Sequence, residues 1–299
     1  MSFNKVMAIP MVSRPRFLVV EGNKRAARQA HMEAYGATPG DSYSSVVASL
    51  AGDVTIDIAM PTDEGTNLPD GQGLQSYDAV FLTGSALNIY KPVPEVTRQI
   101  ELMRAVYASG TPCFGSCWGI QMGAVAAGGV VHLNPKGREV GFARRITLNE
   151  AGLQHPLLAG RPRAFDAPAV HEDEVASLPG EMKPLAYNAM SDVQAVEIRH
   201  GGGLFWGVQY HPEFSLRELA KIMRRRRENL VEEGFYSSLE SADAHLDDLE
   251  SLHHDASRKD LAWKLGLDAE VLDESRRLTE IRNFLKHVVN PTRSQRGRV

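Results

Sequence analysis

The chain has 299 residues, 43% hydrophobic and 23% charged, with a formal net charge of −4. That fits one large or two modest globular units, and a mildly negative chain has no global attraction for nucleic acid or an anionic membrane. No apolar run is long enough to span a bilayer. Cys113 and Cys117 make no disulfide framework and suit a reducing, cytoplasmic setting. Residues 1–16 have Pro10 inside their only apolar patch and no small-residue cleavage pattern, so they read as a ragged lead-in rather than a signal peptide.

Residues 16–21 form a short apolar run, a first buried parallel strand closed by Glu21-Gly22-Asn23. Residues 24–35 have helical composition up to Gly36, 38–41 read as a loop, and 42–51 as a second helix ending at Gly52. A second strand follows at 54–59, then a loop over 61–73 rich in Pro, Gly, Asp and Asn, then a third strand at 77–82. Residues 94–109 are an amphipathic helix with Val96, Ile100, Met103 and Val106 near helical spacing. Thr111-Pro112-Cys113-Phe114 is a short buried strand, and 120–127 a helix. Strand alternating with helix predicts an α/β fold: a flavodoxin-like open sheet with a mainly parallel core and helices on both faces. Further strands are expected at 130–133, 144–148, 186–190 and 193–199, with a polar loop at 152–160. Gly201-Gly202-Gly203 turns a hairpin into a strand over 204–210.

Ser215-Leu216-Arg217-Glu218 has capping-box spacing, and the helix it opens is expected to run to about residue 233. Arg224 to Arg227 point all round that helix and read as a solvated, partly snorkelling stretch, with docking to an acidic partner as the alternative. The character changes near 236, which divides the chain into a 1–235 domain and a 236–299 helical extension. Within the extension, 237–255 is acidic with spaced leucines, and 260–289 reads as two short helices broken near Gly266. Leu278, Ile281, Leu285 and Val288 form an apolar stripe, and the basic tail from Asn290 is expected to be disordered. The extension reads as a cap or a partner-docking surface, since it lacks a basic recognition face for nucleic acid.

Chemistry concentrates in Gly115-Ser116-Cys117-Trp118-Gly119-Ile120-Gln121. A lone cysteine is more often a small core residue. Here a glycine stands two residues to either side, after a strand and before a helix, which is the pattern of a nucleophile elbow. The turn forces a strained backbone at the nucleophile, and side chains at the flanking positions would collide. The helix N-terminus favours thiolate. His211-Pro212-Glu213 follows the last strand, and Pro212 keeps His211 extended, so His211 and Glu213 leave the strand end on one side. A cysteine needs a base, and the base an orienting group; Cys117, His211 and Glu213 supply these types. Attack on an amide also needs N–H donors for the oxyanion. The candidates are the backbone of Trp118 and of Gly84 or Ser85 at the end of the third strand; an ordinary strand-to-loop glycine is the plainer reading of Gly84. Cys113 reads as core, with redox pairing to Cys117 as the alternative. No metal site is expected: His171-Glu172-Asp173-Glu174 matches no structural zinc spacing.

Gly-Ser-Cys-Trp-Gly-Ile-Gln together with Gly-Val-Gln-Tyr-His-Pro-Glu resembles the class I glutamine amidotransferases, most closely the glutaminase domain of GMP synthetase and its stand-alone relatives, over about residues 14–235. The resemblance implies a Cys117–His211–Glu213 triad that hydrolyses the side-chain amide of glutamine through a γ-glutamyl thioester. It also implies that Gln121 helps hold the bound glutamine, that Arg138-Glu139-Val140-Gly141 lies near its pocket, and that the backbone of Asp192-Val193-Gln194-Ala195, with Val193 and Gln194 at its centre, contacts its amino-acid end. The family usually has two glycines where this chain has Gly84-Ser85, and Ser is expected to restrict that loop. His171 and Asp173 correspond to a His-x-Asp segment beside the family's active site; a solvated loop is the other reading.

Three functions remain open. The first is a glutaminase that feeds ammonia to a separate synthetase, since the chain shows no phosphate loop or Rossmann fingerprint and no cofactor is expected. The second is a stand-alone hydrolase of another γ-glutamyl amide or peptide. The third is a non-catalytic binding module, against which the complete triad argues.

Overall fold

The computed structural model describes residues 13–298 apart from 67, 68, 70, 179 and 181; the first twelve residues of the expected lead-in lie outside it. The first half of the chain alternates β1 (Arg16–Val20), α1 (Arg25–Tyr35), α2 (Pro39–Ala51), β2 (Thr55–Ala59), α3 (Gly71–Gln75), β3 (Ala79–Leu82), α4 (Pro94–Ser109), β4 (Cys113–Ser116) and α5 (Trp118–Ala126). Next come β5 (Val130–Leu133), β6 (Glu139–Leu148), α6 (Glu150–Gln154), β7 (Ala164–His171), β8 (Asp173–Ser177), β9 (Lys183–Tyr187), β10 (Ala195–His200) and β11 (Gly203–Val208). Nine strands form one sheet in the order β2-β1-β3-β4-β11-β10-β9-β6-β7, and β5 pairs with β8 separately. The strands from β2 to β11 run parallel, and β10, β9, β6 and β7 extend the sheet antiparallel.

Period-two alternation divides the buried side chains between the two faces. Phe17, Val19, Phe81 and Phe114 enter one core, and Leu18, Val20, Val80 and Leu82 the other. Residues of α2 cover the first face, and those of α4 and α5 the second. The carboxyl ends of β1, β3, β4 and β11 therefore lie side by side, where open α/β sheets build their sites.

Several local expectations change. The 38–41 loop is the start of α2: Thr38 caps it by accepting from the Asp41 N–H at 3.1 Å, and Pro39 is its first residue. The 152–160 loop contains the end of α6, capped by Asn149, and a 3-10 turn at Pro156–Leu158 that buries Leu157 and Leu158. The stretch around His171 is ordered strand, not solvated loop. Pro168 hides β7 from a propensity reading, yet an edge strand tolerates proline.

The helix after Ser215 breaks at Arg225 and Arg226 into α7 (Leu216–Arg224) and α8 (Arg227–Glu232). Beyond lie α9 (Leu239–His254), α10 (Lys259–Leu265), α11 (Ala269–Leu272), α12 (Glu274–Arg277), α13 (Thr279–Phe284), a π-helical turn at Leu285–Val289, and α14 (Asn290–Gln295). Arg224 is not solvated: it binds Asp243, Asp247 and Glu250 of α9 at 2.6–2.9 Å, so the acidic partner is the chain's own extension. Leu246, Leu249 and Leu252 pack with Leu219 and Met223 of α7. The last helices belong to the main core instead. Phe284 sits 5.6 Å from both Phe81 and Phe114, ring centre to ring centre. The boundary expected near 236 thus does not separate two cores. Nor is the basic tail disordered: Arg293 and Arg298 both bind the buried Asp78, at 3.2 and 2.9 Å. Among the described residues no helix is long and apolar enough to cross a membrane.

Candidate active site

β4 runs into Cys117, which adopts φ 53°, ψ −103°, a conformation few non-glycine residues occupy. The flanking glycines explain why it is imposed. A Cβ on Gly115 would sit 2.8 Å from the Gly119 backbone, and one on Gly119 would sit 3.0 Å from Leu82. Strand and helix approach more closely than side chains permit, and the chain turns sharply at the residue between. The Cys117 N–H donates to the Val208 carbonyl at 2.8 Å, locking the elbow to β11. The thiol is 5% exposed, at the N-terminus of α5, with Sγ 3.6 Å from the Val170 carbonyl.

The pairing of β11 with β4 sets Val208 beside Ser116, which brings the residues after β11 to the elbow. His211 and Glu213 meet through a tight turn rather than along extended chain: the Phe214 N–H returns to the His211 carbonyl at 3.2 Å. His211 Nδ1 lies 2.6 Å from Glu213 Oε1. Phe214 stacks on the imidazole at 3.9 Å, with 7° between the planes, and fixes the ring's orientation. Burial opposes a charge on His211, but Glu213 and Cys117 outweigh it and raise its pKa to about 10. The ring is therefore an imidazolium at neutral pH, held between the Glu213 carboxylate and the Cys117 sulfur.

Gly84 closes the other side. A Cβ there would fall 2.7 Å from His211 Cε1. Ser85 turns away from the thiol: its hydroxyl donates to the Gly22 carbonyl at 2.8 Å and accepts from the Leu87 N–H at 3.2 Å. Ser85 thus pins the loop, as expected, and leaves its backbone free. Asn23 holds the same loop, donating to the Gly84 carbonyl at 3.0 Å and accepting from the Ala86 N–H at 3.1 Å. Among the described residues the N–H groups of Gly84, Ser85 and Trp118 have no acceptor. Asn23 was not anticipated; its only signal was its place at the end of the first strand.

Cys117 borders two cavities. The smaller, about 50 Å³, is polar and lined by Gln121, Arg138, His171 and Asp173. Gln121 donates to the Asp173 carbonyl at 3.1 Å. The His171 ring is held at both nitrogens, by Glu139 at 2.8 Å and the Asp173 carbonyl at 3.0 Å. Asn88 and Tyr90 donate to the Asp173 carboxylate at 2.9 and 3.1 Å. Burial raises the pKa of Asp173, and burial beside that carboxylate pushes the Tyr90 phenol up to about 12. Arg138 is oriented by Glu172 and Glu233. Val193 and Gln194 do not reach either cavity. Gln194 is buried in the sheet with its amide on Glu139 and Asn188, where it supports His171 through Glu139.

The larger cavity, about 320 Å³, joins Cys117, His211 and Gly84 to residues of α1, α2 and α7, with Arg226 bordering both spaces. Its far residues are distant in sequence and were not anticipated.

The elbow, the His–Glu pair and the free N–H groups together can form and break an acyl bond at sulfur. Comparison with known proteins agrees. The family model for class I glutamine amidotransferases matches residues 40–228. A γ-glutamyl-L-1-hydroxyisopropylamide hydrolase from a Pseudomonas species is 37% identical over 93% of this chain and 94% of its own length. A GMP synthase from Thermomicrobium roseum is 31% identical over 49% of this chain but only 25% of that enzyme. The crystal structure of a Thermotoga maritima glutamine amidotransferase superimposes with a TM-score of 0.57 at 19% identity, covering 80% of this chain and 94% of that one, a likeness of fold. The chain belongs to the class I glutamine amidotransferase family and is a hydrolase acting on a C–N amide bond.

Proposed function

We propose that this protein hydrolyses γ-glutamyl amides of substituted amines, unaided by a second protein. The observation that carries this reading is the larger cavity. Glutamine's leaving group is ammonia, which needs about one water's volume, roughly 30 Å³. The space beside Cys117 and His211 is about 320 Å³. The Pseudomonas amide hydrolase, aligned along nearly its whole length, supports the same reading, whereas the GMP synthase aligns over a quarter of its own.

In this mechanism the γ-glutamyl group lies over Cys117 with its amino-acid end at the small polar cavity, its ammonium near Asp173 and its carboxylate near Arg226, with Gln121 on its flank. The Cys117 thiolate attacks the γ-carbonyl carbon. The oxyanion accepts from the backbone N–H of Trp118 and of Gly84 or Ser85. His211 passes its proton to the amide nitrogen, the C–N bond breaks, and the amine departs into the larger cavity. Water then attacks the thioester as His211 takes its proton, releasing glutamate and restoring the thiolate–imidazolium pair. Glu213 stays ionised and orients the ring. The free thiols Cys113 and Cys117 support a reducing, cytoplasmic setting.

The test is kcat/KM of the purified protein for glutamine and for γ-glutamyl alkylamides, with hydroxylamine added to intercept the thioester as γ-glutamyl hydroxamate. A preference for substituted amides, with Cys117-dependent hydroxamate, supports the proposal. A strong preference for glutamine would favour the other reading, a glutaminase whose ammonia passes to a separate synthetase.

A further inference from the structure

Glu21 follows β1 and is fully buried, a carboxylate with no part in the proposed acyl chemistry. Oε1 accepts from the Asn23 backbone N–H at 2.9 Å and from the Asn23 side-chain amide at 3.0 Å, and Oε2 accepts from the Gly40 N–H of α2 at 2.5 Å. These contacts fix the Asn23 amide. Its Nδ2 faces two acceptors, Glu21 Oε1 and the Gly84 carbonyl at 3.0 Å, and its Oδ1 faces a donor, the Ala86 N–H at 3.1 Å. The Gly84–Ser85 peptide is planar and trans, so its carbonyl and its N–H point in opposite directions. The carbonyl is drawn back onto Asn23 and onto the Thr83 hydroxyl at 3.0 Å, which turns the Ser85 N–H away from both. Gly84 has no Cβ to resist rotation of that peptide, and a rotated peptide would set a carbonyl where a developing oxyanion needs a donor. The Trp118 side is tied to the same frame. The Gly22 carbonyl accepts from the Ser85 hydroxyl at 2.8 Å and from Gln99 at 3.3 Å, and Gln99 accepts from the Trp118 indole at 2.9 Å. A Cβ on Gly22 would meet Trp118 Cδ1 at 2.9 Å and Ser85 Cβ at 3.0 Å, so both sides of the oxyanion site press on the residue between Glu21 and Asn23.

We propose that Glu21 and Asn23 are positioning residues for the oxyanion: Glu21 orients the Asn23 amide, and the amide holds the Gly84–Ser85 peptide so that the Ser85 N–H, rather than a carbonyl, faces the acyl group on Cys117. Both act through the loop and not on the reacting atoms. The same carboxylate, through Gly40, sets where α2 stands relative to that loop, and α2 carries Ser42 and Tyr43 into the wall of the larger cavity. The assignment rests on the acyl chemistry proposed at Cys117 and is independent of which amine leaves.

The test pairs two reactions of Cys117 that need no γ-glutamyl group. p-Nitrophenyl acetate acylates the thiolate through a tetrahedral oxyanion and releases p-nitrophenolate. Iodoacetamide alkylates it by direct displacement of iodide and forms no oxyanion. Cys117→Ala supplies the background for both. Loss of one oxyanion donor costs about 100- to 1000-fold, so a loosened one should cost about tenfold or more. Asn23→Ala should slow acylation by that much and leave alkylation within about twofold. Asn23→Asp keeps the shape but sets an oxygen against Glu21 Oε1 and the Gly84 carbonyl, and should do the same. Glu21→Gln sets an amide N–H₂ against an N–H and should shift the ratio in the same direction; if it does not fold, the Asn23 variants decide. With γ-glutamyl ethylamide, Asn23→Ala should lose kcat about tenfold or more with KM little changed, because the interaction is made in the transition state. Acylation and alkylation that fall together would reduce the pair to a structural role and overturn the assignment, as would acylation slowed less than about threefold in a folded Asn23→Ala protein. If the unaltered protein turns over no γ-glutamyl amide, the hydrolysis reading fails, and the ratio of acylation to alkylation still decides the role of Glu21 and Asn23.

Discussion

Replacing Gly84 by alanine adds one methyl group at the most crowded point of the site. Its Cβ would stand 2.7 Å from His211 Cε1. Carbon atoms rest about 3.5–4.0 Å apart, so roughly 0.8 Å or more must open between loop and ring. The ring has little room to yield, because Glu213 holds Nδ1 at 2.6 Å and Phe214 stacks at 3.9 Å. If the loop yields instead, the N–H groups of Gly84 and Ser85 leave the oxyanion position. A misplacement of about 1 Å costs on the order of 100-fold. Gly84→Ala should therefore lower kcat/KM about 10- to 100-fold, or about 1.4–2.7 kcal/mol. Gly84 does not sit at positive φ, so alanine suits its backbone and the fold should survive. The assay is steady-state turnover of a γ-glutamyl alkylamide, with thermal unfolding measured alongside. Retention of more than half of kcat/KM in a folded Gly84→Ala protein would refute this account of how loop and imidazole are packed.

Three other outcomes follow from named contacts. His211 is raised to about 10, so activity that needs its proton should fall along an alkaline limb near that pH; Glu213→Gln removes the charge that holds the proton and should move the limb to lower pH, and an unmoved limb would contradict the pairing. Because the folded-state pKa lies above the ordinary 6.5, the pair's contribution to stability is full below pH 6.5 and lost as pH rises through about 10, which urea midpoints across that range would show. Glu280 is fully buried and accepts from Arg161 at 2.7 and 2.8 Å and from Tyr210 at 2.9 Å; Glu280→Ala leaves the buried guanidinium with Glu270 and the Arg277 carbonyl alone and should cost about 1.5–3 kcal/mol in urea unfolding, whereas an unchanged midpoint would refute that role.

The proposed nucleophile and its partners were legible because their geometry is local. The elbow is written in seven consecutive residues, and His211 and Glu213 lie two positions apart, so spacing alone carries the chemistry. The second cavity was not legible, because His31, Ser42 and Glu218 come from three helices that only the fold brings together. Glu218 was further disguised by a capping-box pattern that its backbone satisfies and its side chain does not. Pro168 concealed β7, whose edge position makes proline harmless. The basic tail read as disordered because its partner, Asp78, lies 215 residues from Arg293. Backbone contacts from Val193 and Gln194 to the substrate were expected through family likeness alone; neither residue lines a cavity, and the Gln194 side chain braces Glu139 behind the pocket wall.

The most direct measurement is turnover of γ-glutamyl-L-1-hydroxyisopropylamide by the purified protein with no other protein present, beside Cys117→Ala. The unaltered protein should release glutamate and the free amino alcohol, and Cys117→Ala should release neither. Turnover that persists in Cys117→Ala, or that appears only when a second protein is added, would contradict it.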